Sequence, residues 1–321
     1  MNWEGKEILV TGGTGSLGSA LVRKIMDRMP GVKGVRVYSR DEAKQTEMRK
    51  GYRDSPVAFI IGDVRDRRRL LRAMRGCDVV IHTAALKHVP VAEENPLEYI
   101  RTNVDGSLNV IECCLDTGVE RAMFISTDKA VYPINLYGAA KMCAERAWIR
   151  ANVYSGNRPP LFSACRYGNV WGSRGSVIGM WTQQAKAGQP LTVTDPSMTR
   201  FWFTIDQASS FVLKSLTEMA GGEIFVPKMP SMQMDALARA ILYIHFGTGT
   251  LHDPIQIVGL RPGEKMHECL ITAEESRSTV RSADGYIILQ DYRDEAREPF
   301  TLTSANNDWW LEPTDVRRML P

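Results

Sequence analysis

A glycine-rich turn close to the start of the chain limits the possible folds more than any other feature. It follows the apolar run Glu7–Val10 and comes directly before a helical pattern that starts at Leu17. Its glycines are Gly12, Gly13, Gly15 and Gly18, which fit both the G-x-G-x-x-G and the G-x-x-G-x-x-G spacing. Without side chains at these positions, the backbone is able to approach a pyrophosphate at the N-terminus of the helix. The turn therefore predicts a nucleotide-binding strand–turn–helix unit.

The first half of the chain repeats this order of strand and helix. Short apolar runs occur at Glu7–Val10, Val35–Tyr38, Ala58–Ile61, Asp78–Ile81, Ala122–Ser126 and Leu161–Arg166. Helical patterns between them cover Leu17–Met29, Arg67–Met74, Pro96–Thr117 and Tyr137–Ser155. Such runs are typical of strands that are buried on both faces of a parallel sheet. We predict an α/β fold of the Rossmann-like, doubly wound type, with ligands at the carboxyl ends of its strands.

The regular alternation ends after about Arg166, where short segments rich in Gly, Pro, Trp and Met follow without a steady period. We predict that residues 1–166 form the nucleotide-binding domain and that about 203–226 return to it. Residues 167–321 are expected to form mainly a smaller α/β lobe that binds the substrate. A chain of 321 residues is long enough for two such units.

Composition and charge exclude several other classes of protein. The formal net charge of +3 gives no reason to expect nucleic acid or a membrane surface as a partner. No apolar stretch approaches the roughly 20 residues that cross a bilayer, and the first residues lack the apolar core of a signal peptide. The six cysteines show no Cys-x-x-Cys or other metal-ligand spacing, so no metal is expected. We therefore expect a soluble, cytoplasmic protein.

The end of the second predicted strand favours NADP over NAD. Chains that bind NAD usually carry a carboxylate there to hold the ribose 2′-hydroxyl. Here Ser39 and Arg40 come first, and a guanidinium suits the 2′-phosphate of NADP. The alternative is that Arg40 is a surface residue and Asp41 binds the ribose. After the third strand, Asp63 and Val64 are expected beside the adenine.

A tyrosine and a lysine follow the fifth predicted strand. Tyr137 and Lys141 are four residues apart, so they share one face of a helix that begins just beyond Ser126 and Thr127. We expect the Lys141 ammonium to lower the pKa of Tyr137 from its reference value of about 10. A phenolate is suited to removing a hydroxyl proton during hydride transfer. The pattern therefore predicts a catalytic site at this strand end.

Longer motifs extend almost from end to end of the chain. They are Ser39-Arg40-Asp41-Glu42, Ala84-Ala85-Leu86-Lys87-His88-Val89-Pro90, Ser126-Thr127-Asp128-Lys129-Ala130, Arg166-Tyr167-Gly168-Asn169-Val170, Gly172-Ser173-Arg174-Gly175-Ser176, Met198-Thr199-Arg200-Phe201-Trp202, Gly222-Glu223-Ile224-Phe225-Val226-Pro227 and Arg261-Pro262-Gly263-Glu264-Lys265. With these motifs the chain resembles the extended short-chain dehydrogenases, and among them the inverting UDP-N-acetylglucosamine 4,6-dehydratases (5-epimerising) of the pseudaminic acid pathway. Two segments depart from that pattern, Val131-Tyr132 and Asp291–Phe300.

The resemblance implies 4,6-dehydration with inversion at C5, which gives a UDP-4-keto-6-deoxy-L-hexosamine for surface glycan or nonulosonic acid synthesis. Tyr137 would take the C4 hydroxyl proton as NADP oxidises C4. Lys129, if neutral, would remove the C5 proton, and Asp128, if protonated, would donate to the departing C6 hydroxyl. Thr127 and Lys141 complete the implied catalytic set. The alternative for Asp128 and Lys129 is a simple ion pair in a loop.

The resemblance also implies binding residues by position. Cofactor contacts are expected at Gly12, Thr14, Gly15, Ser16, Leu17, Gly18, Ser39, Arg40, Asp41, Lys44, Asp63, Val64, Ala84, Tyr137 and Lys141. Substrate contacts are expected at Lys87, Thr127, Asn169, Ser173, Arg174, Arg200, Arg261 and Glu264. Arg200 and Arg261 suit the diphosphate and Glu264 the nucleotide ribose, with surface ion pairs as the alternative. The sequence does not decide whether the nucleotide that carries the sugar is UDP or GDP. The resemblance also implies a homo-oligomer that pairs through the helices of Pro96–Thr117 and Tyr137–Ser155.

Three other functions share parts of this pattern. A nucleotide-sugar 4-epimerase has the same fold and cofactor, together with Thr127, Tyr137 and Lys141, but it needs no acid–base pair such as Asp128 and Lys129. Retaining 4,6-dehydratases carry transmembrane segments and usually Met in place of Tyr137, which is our reason to expect inversion. A regulatory protein that only senses NADP would be expected to lack Tyr137 or Lys141.

Overall fold

The computed structural model describes residues 2–156, 158–247, 254–291 and 298–319. Within these ranges, strands β1 to β16 span Glu7–Thr11, Gly34–Ser39, Val57–Ile61, Val79–His82, Arg121–Ile125, Leu161–Cys165, Asn169–Val170, Leu191–Val193, Thr199–Phe203, Ile224–Pro227, Ser231–Gln233, Ile255–Ile257, Cys269–Ile271, Thr279–Ser282, Gly285–Ile288 and Leu302–Thr303. Helices α1 to α13 span Ser16–Arg28, Glu42–Arg49, Arg67–Met74, Val89–Glu94, Pro96–Tyr99, Gly106–Thr117, Leu136–Arg150, Asn152–Ser155, Val177–Lys186, Ile205–Glu218, Met234–Phe246, Ala273–Ser276 and Pro313–Met319. Of the helices in the described ranges, none is long and apolar enough to cross a membrane.

One large sheet organises the first half of the chain. Its strand order is β14-β15-β10-β6-β5-β4-β1-β2-β3, and the strands from β10 to β3 in that order run parallel. Ile8, Leu9 and Val10 in β1 are fully buried, as expected for a central strand with helices on both faces. From β1 the chain moves outward to β2 and β3 and then returns to β4, so the order reverses beside β1. The predicted doubly wound α/β fold is confirmed, and this reversal is where such folds bind ligands.

A second hydrophobic core lies outside the large sheet. It is built mainly from α9, α11 and the strands β8, β9 and β11, and its buried residues include Trp181, Trp202, Met232, Leu237 and Ile241. β9 pairs with β11 and β7, and β8 pairs with β12. This cluster corresponds to the smaller α/β lobe that the sequence predicts after Arg166.

The chain returns to the large sheet twice after Arg166. α10 packs on α1, where Lys24 Nζ lies 2.6 Å from Asp206 Oδ1, and β10 pairs in parallel with β6. Residues 279–288, expected in the second lobe, instead form β14 and β15, which extend the same sheet antiparallel beyond β10. The domain limits at 166, 203 and 226 stay a prediction.

The helix expected over Pro96–Thr117 is divided by a π-helical turn at Ile100–Asp105. This turn carries Asn103, which is buried; its amide nitrogen donates to Leu86 O and its amide oxygen accepts from Leu86 N, both at 2.8 Å. The side chain thus takes the place of a strand partner for the segment after β4. π turns within helices often occur at functional sites, and this one holds the segment that carries Lys87 and His88.

A buried ion-pair cluster joins the large sheet to the C-terminal part of the chain. Arg166, just beyond β6, is 1% exposed, and its Nη2 lies 2.5 Å from Glu145 Oε1 in α7. Its Nη1 lies 2.8 Å from Glu275 Oε2 in α12 and 2.9 Å from the carbonyl oxygen of Leu270. Burial opposes the charged carboxylate, but Arg166 outweighs it and holds the pKa of Glu275 below its ordinary value.

We expect Arg166→Met to lower the free energy of unfolding by about 3–5 kcal/mol, because Glu145 would stay buried without its partner and Glu275 would keep only the half-exposed Arg146. Urea unfolding followed by circular dichroism measures this loss. The matched control is Arg281→Met, since Arg281 is exposed on β14 and surface changes usually stay within about 0.5 kcal/mol. A loss below about 1 kcal/mol for Arg166→Met would contradict the role of the cluster.

Candidate active site

A cleft of about 980 Å³ lies between the carboxyl ends of the parallel strands and the second lobe. The first lining group comes from the glycine-rich turn and the start of α1. The second comes from the segments after β4, β5 and β6, and the third from α9, β8, β9 and the loop around Arg261. Every residue predicted to contact substrate lines this one cleft: Lys87, Thr127, Asn169, Ser173, Arg174, Arg200, Arg261 and Glu264.

The glycine-rich turn is packed so tightly that two of its positions tolerate no side chain. Gly12 has φ +66°, and a Cβ there would lie 2.8 Å from the backbone of Ala84. A Cβ on Gly18 would lie 2.5 Å from Gly12 O. The turn therefore brings bare backbone to the N-terminus of α1, where the first amide groups of the helix bind anions.

A side cavity of about 450 Å³ adjoins the turn at the ends of β2 and β3. Thr14, Ser39, Arg40, Asp41, Lys44, Asp63, Val64 and Ala84 line it. Arg40 Nη1 lies 3.5 Å from Asp63 Oδ2, and Lys44 forms an ion pair with Asp41 that lowers the pKa of that carboxyl. Every residue that is predicted to contact the cofactor lines either the cleft or this cavity. Arg40 and Lys44 both border the cavity, and each is paired there with a carboxylate, Arg40 with Asp63 and Lys44 with Asp41.

Asp128 and Lys129 follow β5 in a short 3₁₀ turn at the floor of the cleft. Asp128 is fully buried, and its Oδ1 accepts from Thr127 Oγ1 at 2.9 Å and from Lys129 Nζ at 3.0 Å. Its Oδ2 has no hydrogen-bond partner among the residues that the structure describes. Burial raises the pKa of Asp128, which favours the protonated carboxyl that an acid requires.

Lys129 reaches from this turn across the cleft floor. Its Nζ donates to Asn169 Oδ1 at 3.2 Å and lies 3.3 Å from Glu268 Oε1. Burial alone would lower the pKa of Lys129, but the carboxylates of Asp128 and Glu268 outweigh burial and raise it above the ordinary value. The neutral form that proton removal by Lys129 requires is therefore disfavoured in this state of the site, because a second carboxylate that no motif indicates adds to Asp128.

Tyr137 lies one turn into α7, which Asn135 caps by accepting from Gly138 N at 2.7 Å. Burial raises the pKa of Tyr137 to about 12, while Lys129 and a hydrogen bond with Thr127 act to lower it. Lys141 instead points at the Ile125 carbonyl oxygen and lies 3.8 Å from the centroid of the Phe124 ring. The expected lowering of the Tyr137 pKa by Lys141 is therefore wrong here. Burial lowers the pKa of Lys141 itself to about 7.

Arg200 has a different local role from Arg261. Arg200 is 5% exposed, and its guanidinium donates to the carbonyl oxygens of Thr199, Lys265 and Met266 at 2.8–3.1 Å. It thus holds the segment that follows Arg261 against β9. Arg261 is exposed at the rim of the cleft and is the arginine in better position to meet a ligand phosphate.

The two departing segments differ in what the structure describes. Tyr132 has φ +45°, and its hydroxyl donates to Glu274 Oε2 at 3.0 Å. Val131 O accepts from Lys265 Nζ at 2.6 Å, so this pair of residues ties the turn of Asp128 and Lys129 to the Lys265 segment. In the segment Asp291–Phe300, residues 292–297 lie outside the described residues.

The fold and this site define a Rossmann-type protein with a buried aspartate and lysine pair in a cleft between two lobes. A family model described as polysaccharide biosynthesis protein matches residues 8–290, and the chain belongs to this family. This match and the relatives named next together confirm the resemblance inferred from the motifs.

Individual relatives carry two different names. The inverting UDP-N-acetylglucosamine 4,6-dehydratase of Campylobacter jejuni subsp. jejuni serotype O:23/36 (strain 81-176) is 41% identical, over 98% of this chain and 97% of the relative. The UDP-glucose 4-epimerase of Rickettsia akari (strain Hartford) is 40% identical, over 90% of this chain and 84% of the relative. Among solved structures, Pen from Bacillus thuringiensis has a TM-score of 0.91 at 35% identity, over 99% of this chain and 98% of the other.

We expect Gly12→Ala to lower the free energy of unfolding by more than Gly118→Ala. Both glycines have similar positive φ, +66° and +72°, but a Cβ at Gly118 meets nothing within 4 Å. Gly118→Ala should lose about 1–2 kcal/mol from backbone strain alone, and Gly12→Ala about 1–3 kcal/mol more from overpacking. Equal losses in urea unfolding would show that the turn is not packed against Ala84 as described.

Proposed function

We propose that the chain is an NADP-dependent 4,6-dehydratase of UDP-N-acetylglucosamine that inverts C5. The observation that carries this proposal is the hydrogen-bonded pair of Asp128 and Lys129, 3.0 Å apart beside Tyr137 at the floor of the cleft. An acid and a base at one place are what elimination across C5 and C6 requires. The inverting dehydratase with 41% identity over nearly the whole chain supports the same function.

A dinucleotide fits the residues that are present. The side-chain-free turn at Gly12, Gly15 and Gly18 suits a pyrophosphate at the start of α1. The side cavity with Arg40 and Lys44 suits the adenosine end, and its two cations suit a 2′-phosphate. When bound, the nicotinamide supplies a hydride acceptor for sugar C4 and a donor for C6.

The chain's own groups account for the proton transfers of oxidation and elimination, and C5 later regains a proton that originates from solvent. Tyr137 has to be ionised for oxidation at C4; as the phenolate, which the charge of Lys129 favours, it accepts the proton of the C4 hydroxyl. One proton shift along the 3.0 Å bond from the Lys129 ammonium to the Asp128 carboxylate gives a neutral amine next to a carboxylic acid. Lys129 then removes the C5 proton, which the C4 ketone makes acidic. Asp128 protonates the C6 hydroxyl, which leaves as water.

A nucleotide-sugar 4-epimerase is the second candidate, since the Rickettsia akari relative with 40% identity bears that name. The Asp128 and Lys129 pair argues against it, because exchange of configuration at C4 needs no proton removal at C5. An ammonium held by two carboxylates at the floor of the cleft would have no step to perform in an epimerase. The product distinguishes the two functions directly.

A homo-oligomer is part of the proposal. Large apolar side chains are exposed on the helices at Pro96–Thr117 and Tyr137–Ser155. They are Leu97 at 63%, Ile100 at 39%, Leu108 at 39%, Met142 at 37%, Val153 at 72% and Tyr154 at 78% exposure. Apolar surface clustered on neighbouring helices favours burial against a second copy.

Replacing Arg40 by Ala should weaken NADP binding by about tenfold or more, because a charge-assisted bond to the 2′-phosphate is lost. NAD binding should change little. Isothermal titration with both dinucleotides measures this, with Arg53→Ala as a control, since Arg53 is exposed and lines neither cavity. If NADP and NAD weakened equally, Arg40 would have no role in selecting the 2′-phosphate.

Lys129→Met should still bind UDP-N-acetylglucosamine and NADP but form 4-keto-6-deoxy product at least about a hundredfold more slowly. In D₂O the wild-type product should carry deuterium at C5 and none in the hydrogen delivered to C6. Mass spectrometry and NMR of the product measure both, and NMR assigns the L configuration.

Full activity of Lys129→Met would remove the elimination mechanism, and a wild-type product epimerised only at C4 would establish the epimerase instead. A D-configured 4-keto-6-deoxy product would leave dehydration intact and overturn inversion.

A further inference from the structure

Glu268 is a buried carboxylate at the floor of the cleft, and no motif of the chain indicates a role for it. It is 3% exposed, lines the cleft, and its Oε1 lies 3.3 Å from Lys129 Nζ. Its Oε2 lies 3.5 Å from Lys265 Nζ. Glu268 stands directly before β13, so it reaches Lys129 from a part of the chain that is distant in sequence.

The backbone of Glu268 is held on both sides. Glu268 N donates to Ser304 Oγ at 2.9 Å, and Ser304 N donates to Glu268 O at 2.8 Å. The Ser304 hydroxyl donates in turn to the Thr199 carbonyl oxygen at 3.0 Å. The carboxylate therefore has a fixed approach to the amine, which a freely rotating surface side chain would lack.

Charged groups surround Lys129 from several elements. Asp128 lies on its own turn, and Glu268 and Lys265 lie on the segment before β13. Arg200 of β9 and Lys87 after β4 act on this cluster as further cations, and Tyr137 of α7 faces it as a neutral phenol. Glu264 is 3.6 Å from Arg200 and offsets part of that charge. Glu268 is thus the second carboxylate that directly contacts Lys129.

We propose that Glu268 is a positioning residue for proton removal at C5: it aims the Lys129 amine into the cleft and stabilises the ammonium formed when Lys129 takes that proton. This inference rests on the proposed dehydration. In the step, the C5–H bond breaks, an N–H bond forms on Lys129, and the electron pair is delocalised into the C4 ketone. That pair then expels the C6 oxygen, which leaves as water with the proton from Asp128. Asp128 donates its proton during elimination, so it ends that step as an anion, whereas Glu268 stays ionised throughout.

Glu268→Gln keeps the shape of the side chain and removes its charge. Oxidation at C4 uses Tyr137, so it should proceed within about threefold of the wild-type rate. Proton removal at C5 should slow by at least about tenfold, since a positioned base contributes about a hundredfold or more. Single turnovers in D₂O separate the steps: absorbance at 340 nm reports C4 oxidation, and NMR reports deuterium at C5 and 4-keto-6-deoxy product.

The pH profile of C5 exchange supplies a readout that a purely structural role would not change. Removing the Glu268 charge lowers the pKa of Lys129, because one of the two anions that favour its ammonium is gone. The acidic limb of the profile should therefore move to lower pH while the maximal rate falls. Glu268→Asp keeps the charge on a shorter side chain and should leave the limb where the wild type has it.

Glu274→Gln is the matched control, because Glu274 is an exposed carboxylate just after β13 that accepts a hydrogen bond from the Tyr132 hydroxyl and does not contact Lys129. It should leave both steps and the profile unchanged. C5 exchange at the wild-type rate in Glu268→Gln, or an equal loss of C4 oxidation and C5 exchange, overturns the proposal. If Glu268→Gln fails to fold, Glu268→Asp carries the same test, with slowed C5 exchange and retained C4 oxidation expected. Absence of 4-keto product from the wild type would instead overturn the proposed function.

Discussion

Parallel pairing of β1, β4, β5 and β6 is the constraint on which the rest of the structure depends. Because these strands run in one direction, their carboxyl ends meet at a single edge of the sheet. That edge receives the glycine-rich turn, the Asp128 and Lys129 turn, and the segment with Arg166 and Asn169. The side chains that would do chemistry are thus assembled by backbone hydrogen bonds far from the cleft, and the Arg166 cluster then ties this edge to the C-terminal segment.

The parts of the site that the sequence predicts are those tied to a strand end. Gly12, Asp128 and Tyr137 each lie within about a turn of such an end or of the helix that follows it, so short spacing determines where they lie. The same holds for Arg40, which follows β2 directly. Local spacing fails where local structure is irregular, as in the π turn at Ile100–Asp105, which divides a helix that periodicity presents as continuous.

The rest of the site depends on contacts between segments distant in sequence. Glu268 reaches Lys129 through the pairing of β13 with β16 and the hydrogen bonds of Ser304, none of which leaves a pattern in the sequence around Glu268. For the same reason, local spacing could not predict the directions of the pKa shifts of Tyr137, Lys141 and Lys129. Burial decides the pKa of Tyr137 and Lys141, and a remote carboxylate helps to decide that of Lys129. The motifs identify the residues of the candidate site, but the charges of these residues depend on contacts that form only in the folded chain.

In the proposed dehydration, those charges let one cluster hold an acid and a base together. With Asp128 and Glu268 ionised around a single Lys129 ammonium, the two carboxylates outnumber the cation that touches both. Burial makes the Asp128 anion costly, whereas Lys129, Arg200 and Lys265 hold the pKa of Glu268 low. A shared proton therefore moves most easily to Asp128, which leaves Lys129 neutral and Glu268 still ionised beside it. When the neutral Lys129 amine takes up a proton, Glu268 is already ionised beside it and stabilises the new ammonium. Glu268 therefore makes Lys129 a stronger base, and it does not compete for the proton that Asp128 carries.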